Sequence, residues 1–277
     1  MYYDLSKKEM VNGCEKSIGL AFLYNSLLGR LLLKLMTNKI ITKIYASYMN
    51  SKLSILKVNK FIKKNKINMD DYEEEKYLSF NDFFMRKIKE GKRVIDDGLI
   101  SVCDSKLSVY EIDDKSSFNI KNSIYTLEEL LGESVKNYKY ALVFRLCVDD
   151  YHHYVFPDDG NVLRTKFING KFHTVRPIAQ KKYKVFKENS RCITFLDCKN
   201  LGKVCYIEVG AMMVGKIVNE NIKFFRKGEE KGHFEFGGST VIMLLEDKVK
   251  ISKTILDNTK NDIETIVKLG NKVGTIK

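Results

Sequence analysis

A glycine pair followed by two hydroxyl residues opens an apolar run near the end of the chain, at Gly237, Gly238, Ser239 and Thr240. By itself this pattern is typical of a tight turn that leads into a strand. It also has a chemical interpretation, in which the hydroxyl of Ser239 attacks the carbonyl of Gly238. That attack needs a strained peptide with no Cβ in the way, and glycine supplies one. Ser239 is therefore a candidate nucleophile, and Gly238–Ser239 is a candidate cleavage site.

Two of the four histidines of the chain lie side by side, at His152 and His153, after the carboxylates Asp149 and Asp150. The segment follows a predicted strand, and we interpret it as a source of a general acid or base. The alternative is a structural role for His152 at the end of the strand. No metal site is predicted anywhere in the chain, and the adjacent histidines do not suggest one, because neighbouring residues on a strand point to opposite faces and do not easily bind one ion.

Asp104 lies between two predicted strands, in the run Ser101–Ser108. Alone, such an aspartate indicates no more than an acidic residue in a turn. Together with Ser239 and a histidine, it would complete a set of nucleophile, base and orienting carboxylate.

The elements that must position these residues change in character along the chain. A short helix is predicted at Phe80–Ile88, and the capping box Thr126–Glu129 begins another. The fold is predicted to be α+β, with a helical N-terminal segment followed by a mostly antiparallel β domain. Short β-rich runs predict strands at Leu99–Val102, Leu107–Ile112, Ala141–Val148, Val204–Val209 and Thr240–Leu245.

The N-terminal segment carries leucines at every third or fourth position, which predicts an amphipathic helix. A second, more basic helical stretch follows from residue 39. Two interpretations stay open: the helices pack on their own domain, or they form an interfacial anchor with lysines on anionic head groups. We assign residues 1–75 to a helical, membrane-associating segment and residues 76–277 to the catalytic domain. The leucines of the stripe are Leu20, Leu23, Leu27, Leu31 and Leu35.

The composition of the 277 residues, 44% hydrophobic and 30% charged, is that of a globular protein and excludes a disordered tail or a disulfide scaffold. The net charge of +13 favours a polyanionic partner, either nucleic acid or an acidic membrane. No nucleic-acid recognition motif is present, so no nucleic-acid partner is predicted.

The six cysteines lack C-x2-C spacing and are predicted to be reduced core thiols of a cytoplasmic protein. No secretory signal is predicted, and the stretch 18–36 is too polar to predict a membrane span.

Eight short segments, taken in their order along the chain, resemble the phosphatidylserine decarboxylase family of pyruvoyl enzymes, in particular its bacterial, type II-like members. Each segment is weak alone, and their common order carries the resemblance. The segments are Phe80–Arg86, Asp104 with its neighbours, Tyr125–Leu131, Asp150–His152, Val175–Ala179, Lys187–Arg191, Val209–Gly215 and Gly237–Thr240.

The resemblance implies a proenzyme that cuts itself between Gly238 and Ser239. The products would be a β chain, residues 1–238, and an α chain, residues 239–277, which stay associated. Ser239 would become a covalent pyruvoyl group, so that no added cofactor is needed. The resemblance further implies that this group forms a Schiff base with phosphatidylserine, giving phosphatidylethanolamine and carbon dioxide. The expected location is the cytoplasmic face of an anionic membrane, as a peripheral protein, with a homodimer as a further option.

The histidine segment departs from the family pattern Asp-Tyr-His-Arg-x-His, because His153 stands at the arginine position and Val155 at the second histidine. The resemblance assigns Asp104 and Ser239 to cleavage and His152 to decarboxylation. Valine cannot move a proton, so we predict that His153, on the same strand face as Val155, substitutes as the base for cleavage. Three alternatives stay open: His152 serves as that base, processing is slow, or the chain is a non-catalytic, lipid-binding paralogue that is not cut.

Overall fold

The computed structural model of the chain describes residues 1–13, 17–73, 76–113, 115–120, 123–212, 216–237 and 239–277. In this part of the chain, most of the helical residues precede the main run of strands, which confirms the predicted α+β class. The α-helices are α1 (Ile18–Asn25), α2 (Leu27–Met36), α3 (Lys39–Met49), α4 (Val58–Asn65), α5 (Phe80–Phe84), α6 (Leu127–Leu131), α7 (Pro177–Gln180), α8 (Val185–Glu188) and α9 (Lys253–Lys260), with 3-10 turns at Lys52–Lys57 and Met69–Asp71. The strands are β1 (Tyr2–Asp4), β2 (Glu9–Val11), β3 (Leu99–Ile100), β4 (Ser105–Glu111), β5 (Ser117–Ile120), β6 (Ser123–Thr126), β7 (Tyr140–Leu146), β8 (His153–Val155), β9 (Gly160–Ile168), β10 (Arg191–Cys198), β11 (Gly202–Val209), β12 (Ile217–Asn219), β13 (Phe224–Phe225), β14 (Glu230–Phe234), β15 (Ser239–Leu245), β16 (Val249–Ile251), β17 (Glu264–Val267) and β18 (Lys272–Ile276).

A ten-stranded sheet in the order β13-β9-β10-β11-β15-β7-β4-β17-β1-β2 forms the centre of the molecule. Its neighbouring strands are antiparallel, except for the parallel pair β1 and β17. Strand β15 lies between β11 and β7, and all of its residues are buried. Neighbours on both sides satisfy its backbone hydrogen bonds, which is why an apolar strand can be buried completely. The separate sheet β12-β14-β8 contains His153.

Serine side chains cap the N-termini of the first two helices. Helix α1 begins after Ser17, whose hydroxyl accepts a hydrogen bond from the Leu20 amide at 3.3 Å. Helix α2 begins after Ser26, whose hydroxyl accepts from the Gly29 amide at 2.9 Å, and the two helices are bent by 101°. A Cβ on Gly29 would lie 2.0 Å from the Phe22 carbonyl oxygen, so the sharp bend requires glycine there.

One part of the leucine stripe packs on the domain and another part is exposed, so each of the two interpretations that the sequence left open applies to one part. Leu20 and Leu23 of α1 pack partly against the main core. Leu27, Leu31 and Leu35 of α2 are instead 81%, 64% and 59% exposed. Within the described residues, no single helix is both long and apolar enough to cross a membrane, and only the bent pair α1 and α2 meets that test jointly. Helix α1 therefore packs on its domain, while α2 presents an unpartnered apolar face.

The N-terminal segment is not helical throughout, which differs from the prediction for residues 1–75. Strand β1 pairs in parallel with β17, and β2 pairs with β1 at the end of the large sheet. These two short strands cover backbone groups of β17 that an exposed sheet edge would leave unpaired. The predicted boundary after residue 75 adjoins residues 74 and 75, which lie outside the described residues.

The predicted short elements are present with different ends. Helix α5 ends at Phe84, earlier than the predicted Ile88, because the following residues become extended and the Glu73 amide bonds the Lys87 carbonyl at 3.0 Å. The predicted N-cap is confirmed, since the Thr126 hydroxyl accepts from the Glu129 amide at 3.1 Å, whereas the Glu129 carboxylate accepts from Lys184 and Lys187 and does not complete the predicted capping box. Each of the five predicted strands is found, with small shifts at its ends, whereas β9 and β10 were not predicted.

Candidate active site

Ser239 is the first residue of β15, where it pairs with Leu146 of β7. Its side chain is fully buried, and its hydroxyl has no hydrogen-bond partner among the described residues. Leaving a buried hydroxyl unpaired costs free energy, and the hydroxyl of Thr240 is unpaired in the same way, so it is the position beside the predicted cleavage bond that distinguishes Ser239. Gly237 has a φ of +136°, a conformation that residues with side chains rarely adopt. Gly238 lies outside the described residues, and with it the peptide bond predicted to be cut.

His152 lies immediately before β8 and is fully buried. Its Nδ1 is 2.9 Å from the carbonyl oxygen of Asp150. Since a carbonyl only accepts, Nδ1 carries the proton, and the lone pair of the neutral ring is on Nε2. Nε2 is buried without a hydrogen-bond partner in the described part of the chain. Burial lowers the pKa of His152 to about 3, so the ring is neutral at pH 7 and Nε2 is unprotonated, while the same burial disfavours the imidazolium that forms when Nε2 takes up a proton.

Four contacts link His152, helix α5 and the segment that leads to Ser239. The ring of Phe84 lies 4.1 Å from the ring of His152 and 5.2 Å from the ring of Phe236, measured between centroids. The amide of Phe234 donates to the His152 carbonyl at 3.0 Å. The amide of Phe236 donates to the side-chain oxygen of Asn81 in α5 at 2.8 Å. Helix α5 therefore holds both the histidine and the approach to the candidate nucleophile.

His153 is also buried, but both of its ring nitrogens are engaged. Nε2 lies 2.9 Å from the carbonyl oxygen of Met85, and Nδ1 lies 2.8 Å from Oε1 of Glu230. To accept a proton from Ser239, His153 would have to give up one of these contacts. The prediction that His153 replaces the missing family histidine thus gains no support from its contacts.

Val155 occupies the end of β8, with its side chain in the core. Its backbone amide donates to the Val102 carbonyl at 2.9 Å, and its own carbonyl accepts from the Tyr206 hydroxyl at 3.3 Å. His153 and Val155 lie two residues apart in this strand, as the sequence analysis assumed, and so share a face. The position has a packing role and carries no group that could transfer a proton.

Asp104 is fully buried and is held by cations. Arg93 donates to its two carboxylate oxygens at 3.0 and 2.7 Å, Lys268 at 3.0 Å, and the amide of Leu269 at 2.8 Å. Burial alone would raise the pKa of Asp104, but Lys268 and Arg93 lower it below its ordinary value. None of these partners is a histidine. The set of serine, histidine and Asp104 is therefore not joined by direct hydrogen bonds among the described residues, and a role for Asp104 in cleavage stays a prediction.

A buried ion pair that the sequence analysis missed positions the loop before His152. Nζ of Lys106 lies 2.8 Å from Oδ2 of Asp150, which also accepts from the Cys147 amide at 2.8 Å. Burial would raise the pKa of Asp150, but Lys106 and then Lys268 lower it to about 2. The backbone carbonyl of Asp150 orients the ring of His152. The ion pair with Lys106 of β4 therefore also fixes the position of this ring. A lysine inside the apolar run of β4 was the only signal in the sequence.

An Asp150→Asn variant is expected to lose roughly 3–5 kcal/mol of unfolding free energy at neutral pH, because Lys106 would stay buried without its counter-ion. Denaturant unfolding measures this loss, and Asp149→Asn, at an exposed neighbour, is the control and should change little. The pKa of Asp150 in the folded protein lies below its unfolded value of about 3.9. The ion pair therefore contributes fully to the unfolding free energy above about pH 4, and this contribution is lost as the pH falls toward about 2. Equal losses in the two variants would contradict the assignment.

A cavity of about 190 Å³ lies at the end of β7, lined by residues 145–148, by α1 and by the segment 174–176. Since Leu146 pairs directly with Ser239, this cavity lies one strand away from the candidate nucleophile. Its lining combines cationic Arg176 with apolar Met212. A neighbouring cavity of about 790 Å³ shares Arg176 and extends along α1 and α7. The smaller cavity suits a ligand with an anionic group and an apolar part, whereas the larger one is also lined by the carboxylates Asp262 and Glu264.

Comparison with known proteins identifies the family of the chain. The sequence profile of the phosphatidylserine decarboxylase family matches residues 80–275. The chain is 50% identical to phosphatidylserine decarboxylase proenzyme 2 of Clostridium acetobutylicum, over 99% of this chain and 94% of that protein. It is 39% identical to the phosphatidylserine decarboxylase proenzyme of Clostridium novyi, over 98% of each, and 37% identical to that of Fusobacterium nucleatum, over 95% and 94%. The chain therefore belongs to the phosphatidylserine decarboxylase family, which confirms the predicted resemblance.

Proposed function

We propose that the chain is a phosphatidylserine decarboxylase that generates its own pyruvoyl group by cutting itself between Gly238 and Ser239. Membership of the family supports the reaction class. The observation that carries the cleavage is the hydroxyl of Ser239, which is buried and unpartnered among the described residues, two positions after a glycine at positive φ. The product of the proposed reaction is phosphatidylethanolamine, with release of carbon dioxide.

Cleavage needs no oxidant or added cofactor. Oγ of Ser239 bonds to the Gly238 carbonyl carbon while the peptide C–N bond breaks, and the hydroxyl proton passes to the freed nitrogen. Loss of the Ser239 Cα proton then breaks the Cβ–Oγ bond and releases the preceding chain with a carboxylate end. Water replaces the nitrogen, which leaves as ammonia, and the ketone of the pyruvoyl group remains. His152 is the best-placed base, because its Nε2 lone pair is unused among the described residues.

The position of β15 supports the proposal that the two products stay together. The α chain would begin with β15, which is hydrogen-bonded between β11 and β7 of the β chain. Separation would break both ladders and expose a strand whose residues are all buried. The new N-terminus would therefore be held in the interior, beside Leu146 and the smaller cavity.

The pyruvoyl group would supply an electrophilic carbonyl that takes up the electron pair left when carbon dioxide departs. Ser239 would itself be converted into the pyruvoyl group. The burial of Ser239 suits a reactive carbonyl that must be kept from water. The cationic and apolar cavity at the end of β7 is the proposed site for the head group and the first part of the acyl chains.

Val155 favours a second candidate, a lipid-binding relative that keeps the fold but is not cut. Intact mass of the purified protein separates the two. The decarboxylase gives two species, residues 1–238 and residues 239–277, the second blocked at its N-terminus, and it releases carbon dioxide from phosphatidylserine vesicles. One species of 277 residues that releases none would reject the proposed function in favour of the binder.

We also propose that the protein works as a peripheral protein at the cytoplasmic face of an anionic membrane. Exposed apolar side chains follow one another on α2, on α3 and in the turn Lys52–Lys57, and patches of this kind mark interaction sites. Exposed lysines and arginines lie between them, where anionic head groups would meet them. The five cysteines of the described residues are buried and form no disulfide, which suits a reducing compartment. The exposed apolar residues include Leu27, Leu28, Leu31, Leu35, Ile40, Ile44, Leu53 and Leu56.

A variant with Leu27, Leu31 and Leu35 all changed to glutamate is expected to lose flotation with vesicles that contain phosphatidylserine. Each substitution places a charge where an apolar side chain would enter the acyl boundary. Wild-type flotation should fall only partly in high salt, because salt screens the lysine contribution and leaves the apolar one. Leu163→Glu, at a leucine that is 52% exposed on β9, is the matched control and should float normally. Normal flotation of the triple variant would place the anchor elsewhere.

A further inference from the structure

A cluster of two histidines and a glutamate lies outside the proposed reaction site. His153 of β8 stands directly opposite His233 of β14, and their rings stack with centroids 4.9 Å apart. Glu230 begins β14 and lies beside both. One ligand atom from each of the three residues lies within 4.8 Å of the others. The antiparallel pairing of two strands thus collects three metal-binding side chains at one point.

The contacts of His153 require a positive charge between its ring and Glu230. Its Nε2 faces the carbonyl of Met85 at 2.9 Å and must carry a proton, because a carbonyl can only accept. In the neutral ring, Nδ1 then has a lone pair, which points at Oε1 of Glu230 from 2.8 Å. Two lone pairs at that distance repel each other. Either a second proton or a metal ion must lie between them.

His233 distinguishes a metal ion from a proton. Its Nδ1 lies 3.8 Å from the same Oε1 of Glu230, too far for a hydrogen bond. That nitrogen is buried and has no hydrogen-bond partner among the described residues. A proton shared by His153 and Glu230 would leave Nδ1 of His233 without a partner among the described residues. A metal ion would bind all three atoms.

We propose that His153, Glu230 and His233 bind one divalent transition-metal ion of the Zn²⁺ class. Two imidazoles and a carboxylate are a common ligand set for this ion, with bonds of about 2.0–2.2 Å. Such bonds put tetrahedral ligand atoms about 3.3 Å apart, between the observed 2.8 and 3.8 Å separations from Glu230. Glu230, whose side chain is 43% exposed, can make the small adjustment and leaves a coordination position open to solvent.

The surroundings of His153 match those of a metal ligand. A ligating histidine usually donates its other N–H to a carbonyl or carboxylate, which fixes the ring, and Met85 supplies that carbonyl here. This site differs from the one that the sequence analysis rejected. His152 and His153 do not share an ion, and the second histidine comes from a strand far along the chain. The prediction that the protein has no metal site is the part that this proposal replaces.

The ion would join β8 to β14, the strand that precedes the segment running to Ser239. It would stabilise the sheet β12-β14-β8 in the cut and the uncut protein alike. The site takes no part in cleavage or decarboxylation as proposed above, so it can be tested independently of them.

The test uses the full chain without an affinity tag, dialysed against a chelator and then titrated with Zn²⁺ and, separately, with Co²⁺. We expect one equivalent to bind, with a rise in the thermal midpoint for Zn²⁺ and the intense visible bands of a low-symmetry site for Co²⁺. His233→Phe keeps a ring stacked on His153 but removes the ligand nitrogen, and Glu230→Gln removes the carboxylate. Neither variant should bind the equivalent of metal ion that the wild-type chain binds. Glu229→Gln, at the neighbouring carboxylate, is the matched control and should retain it.

The absence of a bound equivalent in the wild-type chain would overturn the proposal and leave a protonated His153 as the cation beside Glu230. An equivalent that survives unchanged in both His233→Phe and Glu230→Gln would overturn it as well, because the ion would then lie at another site, such as a thiol. Neither result would bear on cleavage at Ser239, which the intact mass reports separately.

Discussion

A Ser239→Ala chain is expected to remain one uncut species of 277 residues under conditions in which the wild-type chain is converted fully into two. The substitution removes the oxygen that, in the proposed reaction, bonds to the Gly238 carbonyl carbon. It also prevents formation of the pyruvoyl group, so decarboxylation should fall to background. Intact mass and release of carbon dioxide from phosphatidylserine vesicles measure the two effects on the same sample.

Folding should survive this change, which makes the result interpretable. The hydroxyl of Ser239 has no hydrogen-bond partner among the described residues, so alanine breaks no such contact and removes a polar group from the interior. Thr240 provides a matched control, because its hydroxyl is also buried and unpartnered in the described part of the chain. Thr240→Val deletes that hydroxyl without touching the cleavage bond and should still be cut. Cutting of the Ser239→Ala chain at the same bond would refute serine attack.

His152→Phe is expected to slow self-cleavage by roughly 100-fold to 10,000-fold, the usual contribution of a general base. Phenylalanine preserves the ring contact with Phe84 while it removes Nε2, the buried nitrogen that has no partner among the described residues. A time course of chain cleavage by intact mass gives the rate. Any chain that is cut should also decarboxylate poorly per cut molecule, since the family resemblance assigns this histidine to that step.

The companion variants test the competing assignment to His153. If His152 is the base, His153→Ala should be cut at a rate within a few-fold of wild type, because the nitrogens of His153 are committed to Met85 and Glu230. The earlier prediction from sequence requires the opposite, slow cleavage in His153→Ala and faster cleavage in Val155→His. Normal cleavage of His152→Phe together with slow cleavage of His153→Ala would restore that assignment. Thermal midpoints of all three variants show whether a slow rate reflects loss of structure.

Features that depend on neighbours in the sequence could be predicted without the structure. Local periodicity and local hydrogen bonding account for the N-cap at Thr126, for the apolar runs of β4, β7, β11 and β15, and for the amphipathic leucine stripe. The family resemblance likewise rests on the order of short segments, and it identified Ser239 as the candidate nucleophile. The patterns could not show which leucines of the stripe are packed and which are exposed. A stripe indicates which side of a helix is apolar, but not what covers that side.

The sequence by itself determined that this is an α+β member of the phosphatidylserine decarboxylase family with a candidate nucleophile at Ser239 and histidines able to serve it. The tertiary structure alone decided which nitrogen of which histidine is unengaged, because that depends on acceptors supplied by distant segments. Lys106 meets Asp150 across 44 positions and His153 meets Glu230 across 77, and neither separation has a local signature. Long-range strand pairing brings such groups together, since the register of a sheet is set by the packing of the whole core and not by the residues that happen to meet.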